Sequence, residues 1–150
     1  MIIEVLGVPA PKGSGRAMLI GGRARFIASG SSVNARRIKS WATCVRESAL
    51  AVIGNVEAPP FVGVPLRVTI VFRVARPAGH WGKGKNAGKL TPSAPIYPTT
   101  KPDVDKLARS TFDALTAIVW DDDSRIVAAR VGKAYAAPGR EGATITIEAM

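Results

Sequence analysis

Residues 101–127 read KPDVDKLARSTFDALTAIVWDDDSRIV. Pro102 keeps the residue before it out of the helical region, and aspartate is a favoured helix N-cap, so a helix is expected to open at or just after Asp103-Val104-Asp105. Val104, Leu107, Ala108, Thr111 and Leu115 then fall on one face, widened by Phe112, which predicts a helix over about 105–116. Trp120 and Asp121–Asp123 form a tight corner, and SRIVAARVGKAY (124–135) reads as the strand leaving it.

Working outward, VPLRVTIVFRVAR (64–76) alternates clearly, with Val68, Ile70, Phe72 and Val74 on one side and Arg67, Thr69, Val71 and Arg73 on the other. IIEVLGV (2–8) reads as a first strand, and ATITIEA (143–149) as a last one after the Pro138-Gly139 turn. Between residues 9 and 32, AMLI and RARFI flank Gly21-Gly22, which suggests a β-hairpin or an ordered loop. A long helix is expected over Val33–Ile53, capped by Ser31 or Ser32 and stopped by Gly54-Asn55. Ile38, Trp41, Ala42, Val45, Ala49 and Val52 make its core stripe. Residues 77–100 have no periodicity and are rich in glycine, proline and lysine, which predicts a flexible basic loop. The elements give an α+β fold, a small sheet with two main helices packed on it, in one domain over 1–150.

Charge narrows the function. Lysine and arginine total 21 against 11 acids in 150 residues, a net +10 that points to a polyanion, most commonly nucleic acid. All six aspartates lie between 103 and 123, where Lys106 and Arg109 are the only cations. A basic protein with one acidic island suits a phosphate binder that also holds a divalent cation. No apolar run is long enough to span a membrane, and the N-terminus lacks the pattern of a signal peptide. The single cysteine, Cys44, has no partner for an internal disulfide, which suits a reducing cytoplasm.

Phosphodiester hydrolysis needs a neutralised phosphate and an activated water, and Mg²⁺ or Mn²⁺ held by aspartates supplies both. In an extended segment Asp103 and Asp105 point the same way, whereas inside a helix they diverge. Asp123 returns at the other end of the helix. Each piece also has a plain reading. Acids at a helix start favour the macrodipole, Asp105 and Arg109 are spaced as an i,i+4 pair, and a run of aspartates is commonly a solvated turn. Two carboxylates 4 Å apart repel by about 4 kcal/mol at an effective dielectric of 20, so a cluster needs a cation. Lys106 or Arg109 serves in its absence.

Arg16, Arg23 and Arg25 near the hairpin, Lys83, Lys85 and Lys89 in the loop, and Lys101 and Lys106 beside the Asp-Val-Asp are the candidate nucleic-acid contacts. A phosphate-binding Walker A loop fails, because Gly88-Lys89 would require glycine where Lys83 stands and serine or threonine where Leu90 stands. His80, the sole histidine, is weak support for catalysis.

Asp103, Asp105, Leu107, Phe112-Asp113-Ala114-Leu115, Trp120 and Asp122-Asp123 together resemble the signature of RusA-type Holliday junction resolvases, over about residues 100–130. The resemblance implies an α+β, RusA-like fold with a mixed sheet, acting as a homodimer on four-way junctions with paired symmetric nicks. It implies Asp103, Asp105 and Asp123 as the metal-binding catalytic set, with Asp122 as a possible substitute in the run. Arg109 stands where a basic catalytic residue is expected; its permanent charge suits electrostatics better than proton transfer. Action on DNA in a bacterial cytoplasm, from a phage- or prophage-encoded gene, is also implied. Two other readings compete: a non-catalytic basic nucleic-acid-binding protein, which leaves the acidic island without purpose, and a small-substrate phosphohydrolase, which leaves +10 without one.

Overall fold

The structure, a computed structural model, describes residues 1–13, 16–27, 32–54 and 56–150; of 16–20, 24–27 and 32 it describes the backbone. Ser31 and Asn55, expected at the two ends of the long helix, lie outside the described residues.

In chain order the elements are β1 (Ile2–Leu6), β2 (Arg16–Ile20), β3 (Arg23–Ile27), α1 (Ser32–Ile53), β4 (Leu66–Val74), α2 (Val104–Leu115), β5 (Ile126–Tyr135) and β6 (Gly142–Ala149). Four strands form one mixed sheet in the order β1-β6-β4-β5, antiparallel except for the parallel β4–β5 pair. The expected mixed sheet with two main helices is therefore present. β2 and β3 form a separate antiparallel hairpin, turned by Gly21 and Gly22, both at positive φ (59° and 74°), a conformation that glycine adopts freely.

Alternation in β4 holds over Val68, Ile70 and Phe72, which are buried together with Leu66, while Val74, expected on the same side, is half-buried and Arg67 and Val71 are exposed on the other face. With Ile3 and Val5 of β1 and Ile145 and Ile147 of β6 they form the apolar face that the helices cover. β1 and β6 come so close that a Cβ on Gly142 would sit 1.9 Å from the Val5 carbonyl oxygen, so only glycine fits there.

Trp41, Val45 and Ala49 of α1 are fully buried, while Val52, expected on the same stripe, is 50% exposed. The stripe drifts: four residues after Ala49 comes Ile53, and that is the half-buried position. The two helices are tied by polar contacts, Trp41 Nε1 donating to the buried Thr111 Oγ1 (3.1 Å) and Arg46 Nε to the Ala114 carbonyl (3.4 Å). Between β1 and β2, residues 10–12 lie along α2: Ser110 donates to the Ala10 carbonyl (2.6 Å), Lys12 N to the Lys106 carbonyl (3.1 Å), and the Lys12 ammonium pairs with Asp113.

Residues 77–100 have local structure. Two 3₁₀ turns (Ala78–His80 and Gly84–Asn86) are joined by bridges pairing Trp81 with Leu90 and Gly82 with Ala87. Gly82 N donates to the Lys89 carbonyl (2.8 Å) and Thr91 N to the His80 carbonyl (3.0 Å). Lys83, Lys85 and Lys89 are exposed on this small folded loop. Among the described residues no helix is long and apolar enough to cross a membrane.

Candidate active site

Asp103 is the N-cap residue of α2, with extended backbone (φ −71°, ψ 137°), and the preceding Lys101–Pro102 bond is cis. Its carbonyl accepts the first helical bond, from Leu107 N (3.2 Å). The carboxylate makes no capping bond; Oδ2 instead accepts from Lys106 Nζ at 2.7 Å. That hydrogen bond and the Lys106 charge hold the Asp103 carboxyl below the usual carboxylate range, helped by Lys101 and Lys133. Asp105, exposed in the first turn, adds to the field that favours the Lys106 ammonium, while the ion pair itself is with Asp103. The helix therefore begins inside the tripeptide, with Asp103 extended at the N-cap and Asp105 already in the first turn, so the two do not share the extended run in which their side chains would point the same way.

Lys133 reaches this end of α2 from β5, its Nζ donating to the carbonyls of Thr100 and Pro102, both at 2.8 Å. Two carbonyls, one exposed and one part-buried, are satisfied by one ammonium, and the segment leading into Asp103 is pinned to the sheet.

The other end of α2 is an aspartate-built corner. Ala117 takes a positive φ of 64° where the chain turns, and its N–H donates to the Trp120 carbonyl (2.7 Å). Asp121 accepts Nε and Nη2 of Arg125 (Nη2 to Oδ2, 2.7 Å), which with Gly63 N holds its carboxyl down at about 2. Asp122 caps the 3₁₀ turn Asp123–Arg125 by accepting from Ser124 N at 2.7 Å, and its carboxyl is likewise lowered. Asp123 Oδ1 accepts from the indole of the fully buried Trp120 (2.8 Å) and from the Thr116 hydroxyl.

The expected meeting of Asp103, Asp105 and Asp123 does not occur within one chain. α2 has 12 residues, a length of about 18 Å at 1.5 Å per residue, with Asp103 at its start and Asp123 bonded to Thr116 at its end. Among the described residues no three His, Cys, Asp or Glu side chains come close enough to hold a metal ion. Asp123 faces back onto the corner because Trp120 and Thr116 supply its donors. Asp122, considered as a substitute ligand, lies in the same corner, capping the Asp123–Arg125 turn.

Cations surround the Asp103 end. Lys101, Lys106 and, from α1, Arg37 line a cleft of about 510 Å³ into which Asp103 also opens. Arg109 is exposed four residues after Asp105 and forms no ion pair with it. Arg23 is exposed at the hairpin turn, and Arg16 and Arg25 lie on β2 and β3 with side chains outside the description. Arg37 and Lys133 were not singled out from sequence. Arg37 sits on a polar helix face, which marks solvent as readily as a site, and Lys133 is remote in sequence from the carbonyls it binds.

Asp103 and Asp105 offer hard oxygen donors to solvent, as Mg²⁺ or Mn²⁺ requires, and one or two carboxylates completed by waters and phosphate oxygens is the usual way such ions are held. The residues at the start of α2 fit that ion once Lys106 yields its place on Asp103.

A segment of 40 residues is 45% identical to the uncharacterized protein YqaN of Bacillus subtilis (strain 168), covering 27% of this chain and 28% of that protein. The family model of the endodeoxyribonuclease RusA matches residues 11–148, nearly all of the chain, including both ends of α2. The chain belongs to the RusA endodeoxyribonuclease family.

Proposed function

We propose that this protein is a structure-selective endodeoxyribonuclease that resolves Holliday junctions by Mg²⁺-dependent (or Mn²⁺-dependent) phosphodiester hydrolysis, as a homodimer making paired symmetric nicks. The observation that carries this reading is Asp103 and Asp105 at the start of α2, with Lys106 paired to Asp103 beside a cation-lined cleft.

In this reading Asp103 and Asp105 hold the ion, which when bound supplies neutralisation of the phosphate and a nucleophilic water. Lys106 pairs with Asp103 when no ion is present and turns to a phosphate oxygen when one is. Lys101 and Arg37 orient the strand, and Arg109, always charged, adds to the field at the phosphate. Lys83, Lys85, Lys89 and the hairpin arginines neutralise phosphates farther along the arms.

Asp123 lies about a helix length from the pair in its own chain. Its contribution therefore comes from a second copy whose corner meets the start of α2, and a two-fold axis makes that exchange reciprocal, giving two sites for two cuts. The test is to incubate the protein with a synthetic four-way junction, with and without Mg²⁺, and map the products. Symmetric nicks on opposite strands that need the ion support the reading. Binding without cutting at any divalent-ion concentration would favour a basic nucleic-acid-binding protein instead.

A further inference from the structure

The cleft beside Asp103 is more than a bed for phosphate. Its walls combine five prolines with Tyr135, and its charged groups are Arg37, Lys101, Lys106 and Asp103, three cations to one anion. Proline offers a rigid, largely apolar surface with no backbone donor. A simple phosphate gains nothing from such walls, and a neutral apolar ligand gains nothing from the cations.

Tyr135 is set in place by its neighbours. The Arg76 guanidinium carbon lies 3.9 Å from the ring centroid, and His80 meets the ring edge-on with centroids 5.7 Å apart. At about 510 Å³ the cleft lies in the range that holds single organic ligands, and it is too small for a paired step of duplex DNA.

We propose that this cleft receives one unstacked deoxynucleotide of the substrate strand, its base against Pro9, Pro98 and Tyr135 and its phosphate toward Arg37 and Lys101. Asp103 opens into the same cleft, so a nucleotide seated there places its neighbouring phosphate next to the Asp103–Asp105 pair. Extrusion is easiest where pairing is already disturbed, and the exchange point of a branched junction is such a place. The pocket rests on the nuclease reading for its role, and it adds a second basis for choosing where to cut: the identity of the unstacked base.

The test is a nuclear magnetic resonance titration of the full chain with each of the four deoxynucleoside monophosphates, and separately with inorganic phosphate. The account expects shifts at Val8, Arg37 and Tyr135, with nucleotide bound about ten-fold or more tighter than phosphate, as base–aromatic stacking provides. Arg37→Ala, an exposed change on α1, should weaken nucleotide binding several-fold, and Tyr135→Phe should retain it. Equal affinity for phosphate and nucleotide, shifts mapping elsewhere, or no binding at millimolar concentration would overturn the proposal. Junction cutting measured on the same protein separates the two readings: nucleotide-independent cutting overturns the pocket alone, whereas nucleotide binding without metal-dependent cutting overturns the nuclease.

Discussion

Lys106 lies across Asp103, its Nζ 2.7 Å from Oδ2, and the charge of Asp105 reaches the same ammonium. The Asp103 carboxylate is thus paired with a side chain that a cation binding at Oδ2 must displace. A lysine is suited to this, since its flexible stem lets the charge swing away without disturbing α2.

Removing that competitor should favour the metal. Lys106→Met is expected to tighten Mn²⁺ binding several-fold, measured by calorimetry without DNA, because Asp103 loses its internal counter-ion and Asp105 a nearby cation. Weaker binding would mean that Lys106 organises the carboxylates rather than competing for them.

Asp123 carries two separable roles. Asp123→Ala should cost about 1–3 kcal/mol in urea unfolding, because the indole N–H of the buried Trp120 loses its acceptor. Asp123→Asn keeps an acceptor oxygen and should stay close to the native stability. Both should lose junction cutting, since only the carboxylate charge serves a metal. An Asn variant that cuts normally would reduce Asp123 to a structural residue.

Placing Asp123 across a dimer makes a sharper forecast. Asp103→Asn and Asp123→Asn should each be inactive alone, yet an equilibrated mixture should recover part of the activity. In a mixed dimer one composite site carries both changes and the other carries none. The recovered products should be single nicks, not paired ones. If Asp123 served its own chain, every site in the mixture would be damaged and no activity would return.

Acid should report on the corner. Arg125 holds the Asp121 carboxyl at about 2, below its ordinary 3.8. A group depressed in the folded state contributes stability in full above its unfolded value and loses it as pH falls through the folded one. The stability gap between the native protein and Asp121→Asn should therefore shrink as pH falls from 4 toward 2, read by denaturant midpoints. A gap independent of pH across that window would show the Arg125 pairing to be without effect.

Much of this architecture was legible in the residues. The alternation of β4, the turn at Gly21-Gly22 and the start of α2 at Asp103 follow from local rules of pleat, turn and cap, and local rules survive tertiary packing. The α1 stripe was read one residue off at its end, because the helical period drifts and only packing shows that Ile53 takes the inward place of Val52. The site itself was half legible. Asp103 and Asp105 are neighbours in sequence and their relation is set by where the helix begins. Asp123 is tied to them by no local rule, and its distance follows from the length of α2 and from the donors that Trp120 and Thr116 present. Lys133 and Arg37 reach the site through the β4–β5 pairing and the packing of α1, which no spacing in the sequence announces.

Whether Asp103 serves chemistry rather than fold is decided by one measurement, single-turnover cutting of a four-way junction in Mg²⁺ by Asp103→Asn, with junction affinity measured on the same protein in Ca²⁺. The account predicts that cutting falls by about a hundred-fold or more, at or beyond the roughly 10–100-fold that loss of a metal's outer-shell partner costs, while affinity is kept or improved because a negative charge near the phosphates is gone. Cutting at the native rate by a fully folded Asp103→Asn would contradict it.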